Sequence, residues 1–314
     1  MNSSDWEDIV EKGPVRADKW LTEKLPAYSR NQARELIHTG RVRVEGRRLK
    51  KGDRLQTGDI VTVTGLAAAH SPLPEPRKLE IAYQDPEVAV VEKPAGMPTQ
   101  PLSPEETGTL ANAALYKWPG LEKVGDNLLE PGMVHRLDTK THGLVLLAKN
   151  REAFDFLKRD LRMRRIKKSY RALVHGQLRK NKGKIDAPLA RHPSRPGTMV
   201  VADPGVRFRG KPMDALTRFK VLERKDELTL VELELVTGVM HQLRVHLASM
   251  GHPVIGDDRY GEKPDLDSPA YALQSYRLSF MHPQTGEIID VRCRHPLGFD
   301  FLEKNTRTTG EETT

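Results

Sequence analysis

Apolar positions along the chain fall mostly into short runs bounded by turn residues, not into long helical stripes. Residues 144–148 (Leu-Val-Leu-Leu-Ala) are unbroken apolar, a length that suits a buried strand. Residues 79–83 and 88–92 read as two strands joined by Gln84-Asp85-Pro86-Glu87. Residues 168–176 read as another strand. Residues 217–222 and 228–236 read as a pair, the second alternating Val231, Leu233 and Leu235. Residues 273–294 read as a hairpin turning at Gln284-Thr285-Gly286. Helical spacing is confined to four places. Trp20, Leu21 and Leu25 share a face in 18–25, and Ala33, Leu36 and Ile37 form a stripe in a helix capped by Ser29 and ended by Gly40. Residues 109–118 read as a helix stopped by Pro119-Gly120, and Asn150 caps one carrying Phe154, Leu157 and Leu161. Strands linked mainly as hairpins, with few helices between, predict an α+β fold on a mixed, mainly antiparallel sheet.

The same pattern divides the chain. Residues 1–12 read as a loose arm. A small αβ module spans 13–65, where Arg41-Val42-Arg43-Val44 alternates as a half-exposed strand before the Glu45-Gly46 turn, and 53–63 supplies further short strands. Residues 66–77 are Ala/Pro-rich and read as a semi-stiff linker. A larger domain spans 78–303, with a mobile segment at 102–108 and an irregular basic excursion at 177–214, where Arg191-His192-Pro193 and 207–211 are candidate contacts for an anionic partner. Residues 305–314 are polar and read as disordered.

Charge sharpens the picture. The 314 residues carry a formal net charge of +8, which favours an anionic partner. Residues 13–65 hold twelve Lys/Arg against six Asp/Glu, the excess clustering at Arg30, Arg34, Arg41, Arg43, Arg47, Arg48, Lys50 and Lys51. Such a cluster is either a solvated face or a phosphate-backbone footprint. With few aromatics, the module would read the shape and backbone of a nucleic acid rather than stack on bases. The basic run 162–168 reads as a helix terminus that could also bind phosphate. The single cysteine, Cys293, excludes a disulfide framework and a Cys-rich zinc site and is compatible with a reducing cytoplasm. The acidic N-terminus has no apolar core for a signal peptide, and no run reaches membrane-span length. His241 and His246 are five apart, about 140° around a helix, so structural hydrogen bonding is preferred over metal ligation. There is no Gly-rich nucleotide motif. No metal or organic cofactor is expected, and the chain is expected to be a cytoplasmic monomer.

The candidate chemistry lies in 134–143, Val-His-Arg-Leu-Asp-Thr-Lys-Thr-His-Gly, a polar decapeptide delivered by Pro131-Gly132 directly into the apolar strand. A carboxylate held there is rigid and partly desolvated, as a reactive group needs to be. HRLDTKTHGLVLLAK resembles the signature of the RluA-type pseudouridine synthases, an HRLD motif followed by an apolar strand. The resemblance implies that Asp138 is catalytic and that Arg136 enters the space left by a flipped-out uridine. His142 departs from the usual Ser. Lys93-Pro94-Ala95-Gly96 is similar to a family loop with a basic residue near the cleft, which gives Lys93 a supporting, substrate-side role. Residues 168–176 are similar to a second motif, whose tyrosine lies against the target base and maps to Tyr170. Residues 237–247 (TGVMHQLRVHL), with 251–261, resemble a third motif whose arginine pairs with the catalytic aspartate, which points to Arg244. A guanidinium there would orient the carboxylate bidentately and favour its ionised form. Val239 stands where the family usually has Arg. Residues 28–63 resemble the S4 RNA-binding domain, which implies RNA contacts by Arg30, Arg34, Arg41 and Arg43.

The function implied is isomerisation of uridine to pseudouridine in structured RNA, with large-subunit ribosomal RNA favoured by analogy and transfer RNA as the alternative. A second reading is an RNA-binding or ribosome-assembly factor that keeps the fold without catalysis, supported only by His142 and Val239. A third is a metal-free glycosidase, which needs a second acid beside Asp138; Glu130 is close in sequence, but nothing marks it as that partner.

Overall fold

The computed structural model describes residues 4–25, 28, 30–50, 52–66, 71–261 and 271–301. The Ser29 cap, residues 67–70 of the expected linker and the 305–314 tail lie outside them. The described residues pack into two compact units, those within 1–76 and 100–132, and those within 77–99 and 133–314.

In the first unit the strands are β1 (Ser4–Ile9), β2 (Val15–Arg16), β3 (Val42–Val44), β4 (Arg47–Arg48), β5 (Arg54–Leu55) and β6 (Ile60–Leu66). The helices are α1 (Ala17–Lys24) and α2 (Arg30–His38). One sheet runs β1-β6-β3-β4, and β2 pairs with β5. Trp20, Leu21, Leu36, Ile37, Val42, Leu55, Val61 and Val63 form the core. Within the expected loose arm, residues 4–9 form strand β1, antiparallel to β6 with Trp6 opposite Val63. Trp6 packs on Trp20 at 5.8 Å between ring centroids. One large aromatic anchors a strand whose acidic neighbours conceal it. Later in the unit α3 (Leu110–Lys117) starts from a reciprocal cap. The Asn112 amide donates to Thr109 Oγ1 and the Thr109 amide to Asn112 Oδ1. A 3-10 turn, Pro119–Lys123, follows.

The second unit is built on a nine-stranded sheet, as an α+β fold with few helices. Its members are β7 (Glu80–Gln84), β8 (Val88–Lys93), β9 (His142–Ala148), β10 (Lys167–His175), β11 (Lys182–Asp186), β15 (Leu216–Lys225), β16 (Leu228–Leu235), β17 (Leu273–Met281) and β18 (Ile288–Arg292). The order is β11-β15-β16-β10-β17-β9-β8-β7, with β18 also on β17. Every pairing is antiparallel except β9 with β17. Residues 88–91 and 144–148 are fully buried, as befits strands covered on both faces. Helix α4 (Arg151–Arg162) packs on β9 and is capped by Asn150 Oδ1, which accepts from the Ala153 amide at 2.8 Å. Its Phe154 and Leu157 are buried, while Leu161 is only half-buried. The basic run 162–168 is split between the helix end, a left-handed Arg164 and the start of β10.

The excursion expected to be irregular is ordered into β11 and a separate three-stranded sheet of β12 (Leu189–Arg191), β13 (Met199–Val201) and β14 (Arg209–Met213). Strand β14 is exposed at every position, so no alternation announces it. Helix α5 (Gln242–Ser249) lies against β15 and β13. Among the described residues no helix is long and apolar enough to cross a membrane.

Candidate active site

The site is assembled at one end of the β8–β9 pair. Lys93, the last residue of β8, sits opposite Gly143 at the start of β9. The loop after β8 (94–99) and the loop before β9 (134–141) therefore leave the sheet together. Hydrogen bonds bind them: the Gly96 amide to Thr139 O (2.9 Å) and Thr99 Oγ1 to Leu137 O (2.8 Å). Lys93 Nζ donates to the carbonyls of Pro94, Met97 and Thr139 at 2.9, 2.7 and 3.1 Å. At 1% exposed, Lys93 spends its donors inside the protein. Burial draws its pKa down to about 8 against the pull of Asp138. Its geometry is that of a clamp on the Asp138 loop rather than a contact for RNA. His135 pins the same loop to β9, Nε2 accepting from the Leu146 amide at 3.2 Å. Burial, reinforced by the charge of Lys168, lowers its pKa to about 3, so the ring is a neutral acceptor.

Helix α5 brings Arg244 to this loop. Gln242 straps the helix to β15: Oε1 accepts from Thr237 Oγ1 and the Val239 amide, and Nε2 donates to Leu216 O and Thr217 Oγ1. His246 adds contacts to Thr217 Oγ1 and Ala187 O at 2.9 and 3.0 Å. Arg244 Nη1 then donates to Asp138 Oδ2 at 3.0 Å. The pairing expected between these residues is present, but its geometry differs. The bidentate partner of Arg244 is Asp257, through Nε and Nη2 at 2.8 and 2.7 Å, and Asp138 receives one bond. No hydrogen bond from the described residues reaches Asp138 Oδ1.

Tyr260 and Tyr271 flank the guanidinium, with ring centroids 5.0 and 5.5 Å from Cζ. Burial works against the Arg244 charge, but the bonds to Asp257, helped by Asp138, hold it above its ordinary range. Asp257 is likewise raised by burial and lowered further by Arg244, ending below the usual carboxylate range. Its Oδ1 also accepts from the Arg259 and Tyr260 amides.

His241, one residue before α5, has a left-handed backbone (φ 56°). Its Nδ1 meets Tyr260 Oη at 2.7 Å and its Nε2 stands 3.8 Å from Asp138 Oδ2. It thus makes the structural bond expected of it and also borders the carboxylate. Burial is the largest influence on it and keeps it below the ordinary imidazole range despite Asp138.

Tyr170 lies on β10, opposite Ser275 of β17, and is 5% exposed. Burial raises its phenol, a Ser275 hydrogen bond opposes this, and the Asp138 charge adds to the rise. Arg136 is exposed on the loop. His142 stacks on Phe301 with centroids 5.8 Å apart, and its buried Nδ1 has no hydrogen bond among the described residues. Burial and the Lys93 charge lower its pKa to about 4. Val239 packs beside Leu189, Met199 and Val245. The residues that sequence reasoning gave no role are Asp257, Tyr260 and Tyr271. The Gly256-Asp257-x-x-Tyr260 spacing was the available signal for the first two.

In the first unit, Arg16, Arg30 and Arg34 converge on the buried Asp18 carboxylate at 2.9, 3.0 and 2.9 Å. Burial opposes its charge, and the three guanidiniums overcome this and hold Asp18 far below the usual range. Arg30 and Arg34 remain about half exposed (50% and 46%), so they can still meet a second anion. Arg41 Nε donates to Thr64 O, and Arg43 Nη1 to Gly46 O.

A family model described as RNA pseudouridylate synthase matches residues 87–249, and an S4 domain model matches residues 15–61. The chain is 37% identical over 311 residues to the uncharacterized RNA pseudouridine synthase YlyB of Bacillus subtilis (strain 168), covering 99% of this chain and 100% of that one. It is 37% identical over 300 residues to the ribosomal large subunit pseudouridine synthase D of Neisseria meningitidis serogroup B, covering 91% and 77%. Among solved structures, human RNA pseudouridylate synthase domain containing 1 aligns with a TM-score of 0.57 at 26% identity, over 74% of this chain and 96% of that one. Sequence, fold and relatives agree, and the chain belongs to the RNA pseudouridylate synthase family and carries an S4 domain.

Proposed function

We propose that this enzyme isomerises specific uridines in structured RNA, most naturally large-subunit ribosomal RNA, with Asp138 as its catalytic carboxylate. The observation that carries the reading is the asymmetry of Asp138. Arg244 holds Oδ2, while no described residue engages Oδ1, in a side chain that is one-third exposed at the mouth of a clamped loop. Oδ1 is then the oxygen that acts on the ribose, either by adding to the anomeric carbon or by taking a sugar proton. The bond from C1′ to N1 breaks, the uracil turns, and C1′ joins C5; C5 loses its proton and N1 gains one. Tyr170 supports the turning base. Arg136 fills the stack that the uridine leaves. Lys93 positions the loop, and Arg30, Arg34, Arg41 and Arg43 of the 13–65 module hold RNA backbone. The remaining part of the domain reading is that 78–303 forms the catalytic domain, with 66–77 as a linker. The ribosomal target rests on relatives named as large-subunit pseudouridine synthases and on the S4 domain.

Pseudouridine mapping of total RNA from a deletion strain tests this reading. Sites in large-subunit RNA should vanish on deletion, return with the wild-type gene and stay absent with Asp138→Ala. Sites lost only from transfer RNA would overturn the target. Equal rescue by both genes would overturn the role of Asp138.

A further inference from the structure

Lys168 is the described side chain whose burial the catalytic reading leaves unexplained. It lies near the start of β10 and is 9% exposed. No hydrogen bond or ion pair joins its ammonium to any described residue. Lys93, the other buried lysine, has three carbonyl partners. Its stem is buried while its ammonium keeps contact with solvent, so an anion from outside the protein can meet it. Burial alone brings its pKa down to about 8, with no neighbouring acid opposing the shift.

Three features place the amine. It is two residues from Tyr170, and the two share the buried face of β10, whose neighbours Lys167, Ser169 and Arg171 are not buried. Its charge depresses His135, three residues before Asp138, so it borders the HRLD loop. Its Nζ lies 3.7 Å from where a Cβ on Gly238 would stand, and Gly238 belongs to the exposed turn that leads into His241 and α5. The amine therefore ends against an exposed turn at a glycine, which puts no side chain of its own there.

We infer that Lys168 is a phosphate-binding residue that takes a backbone phosphodiester of the RNA next to the flipped uridine. The inference rests on the proposed Asp138 site and assigns the cleft an anion position. An RNA phosphate supplies the missing charge-assisted bond, and burial strengthens it relative to a surface lysine. Because one of its neighbours is the loop carrying Asp138, filling this position also fixes the target nucleotide along the cleft.

The test compares wild type, Lys168→Met and Lys168→Arg on an unmodified in vitro transcript of full-length large-subunit ribosomal RNA. Lys168→Met should weaken RNA binding about tenfold, the loss of one charge-assisted contact. It should lower the slope of log K against log salt by about 0.7–0.9. KM should rise, with kcat changed less than twofold. Thermal unfolding should show Lys168→Met to be at least as stable as wild type, because it removes an unpaired amine; a purely structural lysine would not give that combination. Lys168→Arg should recover part of the affinity and the slope. Unchanged Kd, slope and KM in Lys168→Met overturn the phosphate site. A collapse of kcat with unchanged Kd overturns it in favour of proton transfer by the amine. Failure of the wild type to convert any uridine in this transcript overturns the ribosomal target instead, and the Kd and salt comparison still decides Lys168.

Discussion

Arg244 serves two carboxylates, and the division fixes what each can do. Asp257 takes the bidentate face and is fully buried, so it neutralises the guanidinium and sets its plane. Asp138 takes the remaining Nη1 and keeps one oxygen unengaged. Removing one partner of a buried pair strands the other charge, at a cost of about 3–5 kcal/mol. Asp257→Asn should therefore lower stability by about that amount in thermal or denaturant unfolding. The released fork would turn both nitrogens toward Asp138 and engage Oδ1, so single-turnover pseudouridine formation should fall about a hundredfold, the scale of an ångström-sized misplacement. Unchanged turnover in a folded Asp257→Asn protein would remove the argument for Oδ1. The partnership of Asp138 and Arg244 was legible from the motifs that each belongs to. The role of Asp257 was not, because its partner choice depends on how α5 faces the turn after it, which neither periodicity nor charge records. The structural hydrogen bond of His241 was legible, but its approach to Asp138 was not, for the same reason. Its place beside Asp138 depends on a left-handed backbone that its identity permits but does not announce.

At the scale of elements, the site depends on a single close approach. Strands β9 and β17 are the one parallel pair in the nine-stranded sheet, with register partners Gln274 to His142 and Ser275 to Gly143. A Cβ on Gly143 would lie 2.3 Å from Ser275 O, and its φ of +111° disfavours other residues. Gly143→Ala should force the strands apart just beyond the Asp138 loop, costing more than about 4 kcal/mol and abolishing activity. Gly96→Ala is the control. It has a positive φ of +80° but open space around it, so it should cost only about 1–2 kcal/mol. Comparable melting temperatures for the two variants would mean that the sheet tolerates the intrusion. Strands β8 and β9 and helix α4 were legible because an unbroken apolar run and an Asn cap are local signals. Strands β1 and β14 were not. The first hides one tryptophan among acids, and the second has no buried face to create a period of two.

At the scale of the whole molecule, the net charge of +8 becomes informative where like charges are placed against each other. Arg43 and Arg48 are register partners on β3 and β4, and Val44 faces Arg47. Two arginines directly opposite across a strand pair repel and destabilise the hairpin. Arg47 has Asp53 at 3.4 Å to offset its charge, but no acid is paired with Arg43 or Arg48 among the described residues. A hairpin that carries such a cost gains from an external polyanion, which is the physical content of the expected RNA footprint. The double variant Arg43→Ala, Arg48→Ala should therefore melt no lower than wild type, yet bind RNA with a salt slope reduced by about 1.4–1.8. The loss should fall on KM and leave kcat at saturating RNA unchanged, because these residues lie in the S4 domain and Asp138 does not. Asp138→Asn should do the reverse, lowering kcat by a factor on the order of 10⁴ with RNA affinity kept. A salt slope unchanged in the double variant would reduce the hairpin charge to a solvated surface and move the RNA footprint elsewhere in the chain.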